Sequence, residues 1–347
     1  MDTLESEHLY TIARQFALPG AVTSIAPFGR GRINDTFLVT MESGAHYVLQ
    51  RVNPMFAPSV LEDIAFMTAQ MKEQGFTTTE LIPTKEGALG VQDGDTVWRM
   101  LTHIEGRTIE EGITGEEAQS AMALIGRFHQ TFAEHTYDFQ HVREGFHDTP
   151  RIMHTLAETI ADYRGTPKHT ALATLGDAIT RAYETHPHAW AHLPKRIIHG
   201  DPKLNNIRFA AETPRAIALL DLDTMGRHSV VVDLADAARS WCNHADEGDI
   251  DRAAFDLDIF HAMMEGYTST AHFFTDSERA ATPYAIAQIA LELAARFATD
   301  AYRESYFKLD REHYPNLFTQ NSTKAQAQFA LYRDILKKFP DLAAREQ

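Results

Sequence analysis

Short runs of strand-forming residues crowd the first hundred positions of the chain, and helix-like spacing fills most of the rest. In TFLVTMESGAHYVLQRV (36–52) two such runs flank a turn containing Gly44, which predicts a β-hairpin. The next segment, 53–75, opens with prolines, takes a helical spacing from Ser59 and stops at Gly75. GALGVQDGDTVWRMLTHIEG (87–106) predicts a second hairpin, with Asp93 and Gly94 at its turn. From Gly115 the period changes. Met122, Ile125, Phe128 and Phe132 recur every three or four residues and line one helix face. Two further helices are expected between 150 and 187. Only then come three short strands, RIIHG (196–200), NIRF (206–209) and AIALLDLD (216–223). Helices follow to the C-terminus, among them the long amphipathic PYAIAQIALELAARFATDAYRESYF (283–307). The pattern predicts an α+β, bilobal chain. A small antiparallel-sheet N-lobe covers 1–105, and a large, mainly helical C-lobe covers 106–347.

Composition narrows the function. At 347 residues the chain can bury two substantial cores, and its 44% hydrophobic and 23% charged residues are ordinary for a globular protein. A net charge of −16 argues against nucleic acid as the main ligand, since phosphate backbones are bound by surplus Lys and Arg. No apolar run approaches the roughly eighteen residues of a membrane span. The opening MDTLESEHLYTIARQF is acidic and amphipathic and does not read as a signal peptide. Cys242 is the only cysteine, which excludes an internal disulfide and suits a reducing cytoplasm. The 18 histidines are scattered, with no HExxH or other tight metal-ligand spacing.

The chemistry concentrates in RIIHGDPKLNNIRF (196–209) and the strand after it. Asn206 follows Asp201 by five residues, and Asp221 ends the apolar run Ile217–Leu220. A catalytic-loop Asp, an Asn five residues on and a second Asp are the parts of phosphoryl transfer. A carboxylate aligns the acceptor hydroxyl and takes its proton, while hard magnesium wants amide and carboxylate oxygens. Lys203 is placed to offset charge on the moving phosphoryl group. Asp223 is open between a metal ligand, a substrate contact and a structural residue. Upstream, Gly29 and Gly31 precede a strand, as a loop covering ATP phosphates requires. YVLQRV (47–52) has no lysine, so Arg51 is expected to pair with phosphates or with Glu62, if it is not a surface arginine.

Taken together, GRINDTFLV, YVLQRVN, HGDPKLNNIRF, LLDLDTMG, VVDLADAARSW and LELAARFATDAYRESYF resemble segments of the aminoglycoside phosphotransferase and choline kinase superfamily. Within it the resemblance runs to the N-acetylhexosamine 1-kinase type. The resemblance implies a protein-kinase-like fold, ATP as co-substrate with its adenine at backbone groups from Met100 to Thr102, and Mg2+ as cofactor. It makes Asp201 the base, Asn206 and Asp221 the magnesium ligands, and Asp233, with His199, the support of the catalytic loop. Arg296 and Tyr306 take the sugar-binding positions. Arg32 replaces an expected His, and the segment 296–306 is one residue short. The expected reaction is phosphorylation of an N-acetylhexosamine at C1. The rivals are kinases of homoserine, choline, aminoglycosides or another sugar, and a nucleotide-binding pseudokinase, which the missing lysine favours and the retained Asp201, Asn206 and Asp221 disfavour.

Overall fold

A computed structural model describes residues 3–29, 33–110, 112–142, 144–186 and 188–344. It begins with helix α1 (Thr3–Ala13), then strands β1 (Val22–Pro27), β2 (Asp35–Met41) and β3 (His46–Val52). Helix α2 (Val60–Glu73) and strands β4 (Leu81–Ile82), β5 (Val91–Asp93) and β6 (Thr96–Thr102) complete the sheet part. The sheet is antiparallel in the order β1-β2-β3-β6-β4, with β5 hydrogen-bonded to β6. Both predicted hairpins form. In the second, Asp93 pairs with Thr96, so the turn falls on Gly94 and Asp95, one residue later than expected. Gly94 takes φ +57°, the left-handed backbone that glycine adopts without penalty.

Alternation along the strands gives the sheet two unlike faces. On one, Leu49, Trp98 and Met100 pack with Leu9, Ile12 and Phe16 of the α1 region in a small closed core. The other face looks toward the helical part. There Val52 joins the large core, as do Val60, Leu61, Ile64, Met67 and Met71 of α2.

The helical part contains α3 (Gly115–Phe132), α4 (Thr149–Asp162), α5 (Pro167–Glu184), α6 (Val230–Trp241), α7 (Leu257–Thr268), α8 (Asp276–Arg303) and α9 (Leu317–Ala344). Helix α3 starts where its sequence says. Thr114 and Glu117 form a capping box, and the predicted stripe of Met122, Ile125, Phe128 and Phe132 is fully buried. Helix α8 extends seven residues upstream of the expected start, past Pro283. A second capping box, Thr275 with Glu278, sets its true beginning.

Four short strands are embedded among the helices. They are β7 (Arg196–Ile198), β8 (Ile207–Phe209), β9 (Ala216–Leu219) and β10 (Gly226–His228). Strands β8 and β9 form a hairpin, and β10 pairs antiparallel with β7. The sequence did not announce α1, β1, β4 or β10; β4 and β10 are two and three residues long and lack the polar neighbours that marked β7 and β8.

Sheet and helices are tied by a buried carboxylate on α2. Asp63 accepts the Tyr137 hydroxyl and the backbone N–H groups of Gln140 and His141, each at 2.8 Å. One carboxylate taking three bonds ties three groups at once, and removing it leaves one buried and two part-buried donors without this acceptor. Asp63→Ala is therefore expected to lower stability by about 3 kcal/mol. Urea unfolding checks this, and a change within a few tenths of wild type would exclude the tie.

Candidate active site

Strand β7 buries Ile197 and Ile198 and delivers the catalytic-loop segment at a fixed point. Gly200 follows with φ +86°, and a Cβ there would collide with the carbonyl oxygen of Thr224. Only glycine fits that bend. Asp233, in the first turn of α6, grips the loop from below. Its Oδ2 accepts His199 N at 2.7 Å, and its Oδ1 accepts Gly200 N at 2.8 Å. His129 on α3 adds a third contact to Oδ2 at 3.0 Å and is itself held by the Tyr267 hydroxyl at 2.9 Å. Burial alone would raise the Asp233 pKa, but the bond to His129 and its charge hold it below the usual carboxylate range.

The loop is then latched to the strand that carries Asp221. Asp201 N donates to His199 Nδ1 at 3.3 Å, so the ring proton sits on Nε2, which donates to Leu220 O at 2.9 Å. Leu220 N donates to Asn206 O at 2.8 Å, and Thr224 Oγ1 to His199 O at 2.9 Å. Trp241 Nε1 closes the set on Pro202 O at 3.0 Å. These bonds bring Asp201, Lys203, Asn206 and Asp221 together. Lys203 Nζ lies 2.6 Å from Asp201 Oδ2. Asn206 Nδ2 donates to Asp201 O at 2.9 Å, which leaves the amide oxygen as its ligand atom.

Asp221 sits in left-handed backbone, φ +58° and ψ +62°, at the head of a short 3-10 turn. Burial and the neighbouring Asp223 carboxylate push its pKa up to about 7. In contrast, Asp201 is held below its usual range, because the charge and hydrogen bond of Lys203 outweigh burial. A buried carboxylate beside two others, with an amide oxygen at hand, is a hard oxygen donor set short of positive charge. Its chemistry fits Mg2+.

Asp223 is only 2% exposed, and both its oxygens are taken. Arg99 of β6 grips it through both Nη atoms, with Nη2 2.9 Å from Oδ2, and Asn34 Nδ2 donates to Oδ2 at 2.7 Å. Of the three roles open to it, these contacts give Asp223 the structural one. Arg99 Nε donates to Gln50 Oε1 at 2.8 Å, and Gln50 Nε2 to Thr36 Oγ1 at 3.0 Å.

Arg51 needs a correction. Gln50 and Arg99 pair directly across β3 and β6 and face the helical part, so Arg51 points to the opposite face. There it bonds Asp35 on β2, Nε to Oδ2 at 2.9 Å, and stands over the Trp98 ring. It reaches neither the catalytic loop nor Glu62, which is exposed on α2. The cation on the interior face of the sheet is Arg99, which the sequence reading missed. The register of Gln50 against Arg99 is what identifies it.

Met100 and Thr102 also sit differently from expectation. Met100 is buried between β3 and β4, and the N–H of Thr102 donates to Glu80 O at 2.9 Å. The backbone leaves the sheet only at His103 to Glu105. Gly29, two residues past the end of β1, takes φ +74°, which suits glycine in a turn. Gly31 and Arg32 lie outside the described residues.

Arg296 and Tyr306 do meet, with Arg296 Nη2 3.2 Å from the tyrosine hydroxyl and the guanidinium 5.4 Å over its ring. A chain of contacts leads from them to the catalytic loop. Glu292, one turn before Arg296 on α8, lies 3.0 Å from His147 Nδ1. The His147 ring packs on Phe146, whose edge is 3.2 Å from the Cβ position of Gly200. Burial opposes the charged form of His147, but the Glu292 carboxylate prevails and raises its pKa.

The overall arrangement has known counterparts. An aminoglycoside phosphotransferase from Alicyclobacillus acidocaldarius superposes with a TM-score of 0.63 at 15% identity, over 95% of this chain and 96% of that one. An amicoumacin kinase solved with AMP-PNP, Ca2+ and Ami gives 0.63 at 14%, over 94% and 93%. A spectinomycin phosphotransferase solved with ADP and spectinomycin gives 0.55 at 12%, over 96% and 99%. At these identities the likeness establishes the fold. Family membership comes from the sequence itself, since residues 24–272 match the model of the APH phosphotransferase enzyme family, and the chain belongs to that family.

Proposed function

We propose that the protein is an ATP- and Mg2+-dependent small-molecule kinase that phosphorylates the C1 hydroxyl of an N-acetylhexosamine. The observation that carries the kinase reading is the latched set of Asp201, Asn206 and Asp221. Four bonds through His199, Leu220 and Thr224 hold these groups together, an investment that nucleotide binding alone does not require. Solved structures of the same fold contain ADP or an ATP analogue, and one contains Ca2+, in keeping with use of a nucleotide and a divalent cation.

In this reading Gly29 and its loop cover the phosphates, and the adenine meets the backbone at His103 to Glu105. Mg2+, held by Asn206 and Asp221, would neutralise charge on the phosphate oxygens. Asp201, kept ionised by Lys203, orients the acceptor hydroxyl and receives its proton. The new bond joins the C1 oxygen to the γ-phosphorus, and the bond to the departing ADP oxygen breaks. Arg296 and Tyr306 orient the sugar. The C1 acceptor is favoured by the likeness of the Arg296–Tyr306 segment to the hexosamine kinases and by the meeting of those two side chains.

A second reading has its own support. The net charge of −16 suits a polycationic acceptor of the aminoglycoside kind. Acceptor-dependent ADP release over a panel of N-acetylhexosamines, aminoglycosides, choline and homoserine separates the two, with phosphorus NMR fixing the product position. Turnover on the hexosamines to a 1-phosphate is expected. Turnover confined to aminoglycosides would replace the sugar assignment, and MgATP binding without any acceptor turnover would replace the kinase.

Asp201→Asn is expected to bind MgATP normally and to lose about a thousandfold in transfer rate, the scale of a general base. Near-normal turnover in that variant would remove Asp201 from the mechanism. Arg296→Ala is expected to raise the acceptor KM about tenfold, which corresponds to about 1.4 kcal/mol, with the ATP KM unchanged. If both constants rise together, Arg296 supports the fold and does not select the acceptor.

A further inference from the structure

Eighteen histidines without metal-ligand spacing in sequence still converge once the sheet forms. Tyr47 of β3 stands opposite Thr102 of β6, so His46 and His103 are neighbours at the ends of those strands. Their rings meet edge-on at 5.7 Å. Glu105, two residues beyond His103, reaches back between them. Its Oε1 lies 3.3 Å from His46 Nδ1 and 3.3 Å from His103 Nδ1. All three ligand atoms fall within 4.8 Å of one another.

The spacing has a physical meaning. Ligands at about 2.0–2.1 Å from a tetrahedral ion lie roughly 3.3 Å apart, so two edges of the set already have the required length. His103 Nδ1 is buried and has no well-aligned hydrogen bond, despite its closeness to Glu105. Imidazole nitrogens favour zinc-like ions, whereas magnesium favours oxygens.

We propose that His46, His103 and Glu105 form a binding site for a transition-metal dication of the zinc class, separate from the magnesium-binding residues. The assignment does not depend on the acceptor or on phosphoryl transfer. One group opposes it. Arg208 Nη2 lies 3.4 Å from His103 Nε2, and its charge weakens a nearby cation. The Arg208 side chain is anchored independently by its Nε, which donates to Ile104 O at 2.9 Å, so the long Nη2 contact can open when the ring proton moves to Nε2. The fourth position faces solvent beside Glu105, whose side chain is 81% exposed, so the site is an open three-ligand site. Occupancy would brace the mouth of the sheet, because His103 also touches the Phe28 ring, next to Gly29, at 5.7 Å.

The test uses the full chain, stripped with chelator and kept in excess Mg2+. Zn2+ is titrated calorimetrically, and Co2+ by visible absorption. One saturable site is expected, with the intense visible band of low-coordinate cobalt and a rise in Tm on adding Zn2+. Glu105→Gln, at an exposed position that leaves folding alone, should weaken binding roughly tenfold or more and abolish the Tm rise. His103→Gln should do the same, while His154→Gln, at an exposed histidine far along the chain, should not. No saturable site, or wild-type binding in Glu105→Gln, would falsify the assignment.

Discussion

The Arg99–Asp223 pair is the constraint on which the relation between sheet and catalytic segment depends. Two charges with side chains at most 2% exposed are costly to bury, and their attraction offsets that cost only when every remaining donor and acceptor is matched. Here they are matched. Arg99 divides its donors between Asp223 and Gln50, and Asp223 takes the remaining contact from Asn34. Asn34 in turn accepts Asn53 N at 2.9 Å, so its amide cannot turn away. Each partner stands on a different stretch of the sheet part. The turn that carries Asp221 is therefore fixed against β3 and β6 before any nucleotide arrives. A lysine in β3 would have placed the charge on Gln50's strand. This chain places it one strand over, and an amide fills the gap.

A second carboxylate, Asp233, does for the catalytic loop what Asp223 does for the Asp221 turn. Both are buried acceptors whose two oxygens are each engaged by N–H donors. The groups to which the proposed function assigns the chemistry, Asp201, Asn206 and Asp221, are then positioned mostly through bonds at Leu220, His199 and Thr224. That division has an electrostatic result. The carboxylate beside Lys203 is held low, while the one beside Asp223 is pushed up to about 7, within two short loops. In the proposed reaction the first would stay ionised near a hydroxyl, and the second would gain most from a cation.

How much of this was legible in the sequence varies with the range of the signal. Period-two and period-three-to-four patterns exposed both hairpins and α3, and the Asp201–Asn206 spacing exposed the catalytic loop. Parity defeated the reading of β3. Gln50 and Arg51 are adjacent in sequence, and only the identity of the buried face decides which one points inward. Arg99 was invisible for a related reason. It lies in the apolar run VWRML, and its partner is 124 residues away. The histidines failed in the same manner, since His46 and His103 become neighbours through strand register alone. Met100 was misjudged because β4 is two residues long and leaves no period by which to expect a strand on that side.

The stretch proposed to bear on acceptor choice shows how one helix can combine support with a solvent-facing pair of side chains. Gln288, Glu292, Arg296 and Asp300 recur every four residues along α8 and so share a face. Gln288 and Glu292 are buried and hold the Thr149 hydroxyl between them, at 2.8 Å and 2.9 Å. Asp300 accepts the N–H groups of Ser305, Tyr306 and Phe307 at 2.8–3.0 Å, and the Asn321 amide at 2.9 Å. Arg296 lies between these two anchored carboxylates and extends toward Tyr306, which is 49% exposed. The turn after α8 is thereby pinned from within the helix, not by contacts of the tyrosine ring. Under the proposed acceptor role, changes at Arg296 or Tyr306 would alter what the site accepts without moving the loop that presents it. If the proposed acceptor role holds, acceptor preference can vary while the Asp201 geometry stays fixed, since among the described residues Glu292 leads toward the Asp201 loop by way of His147 and Phe146.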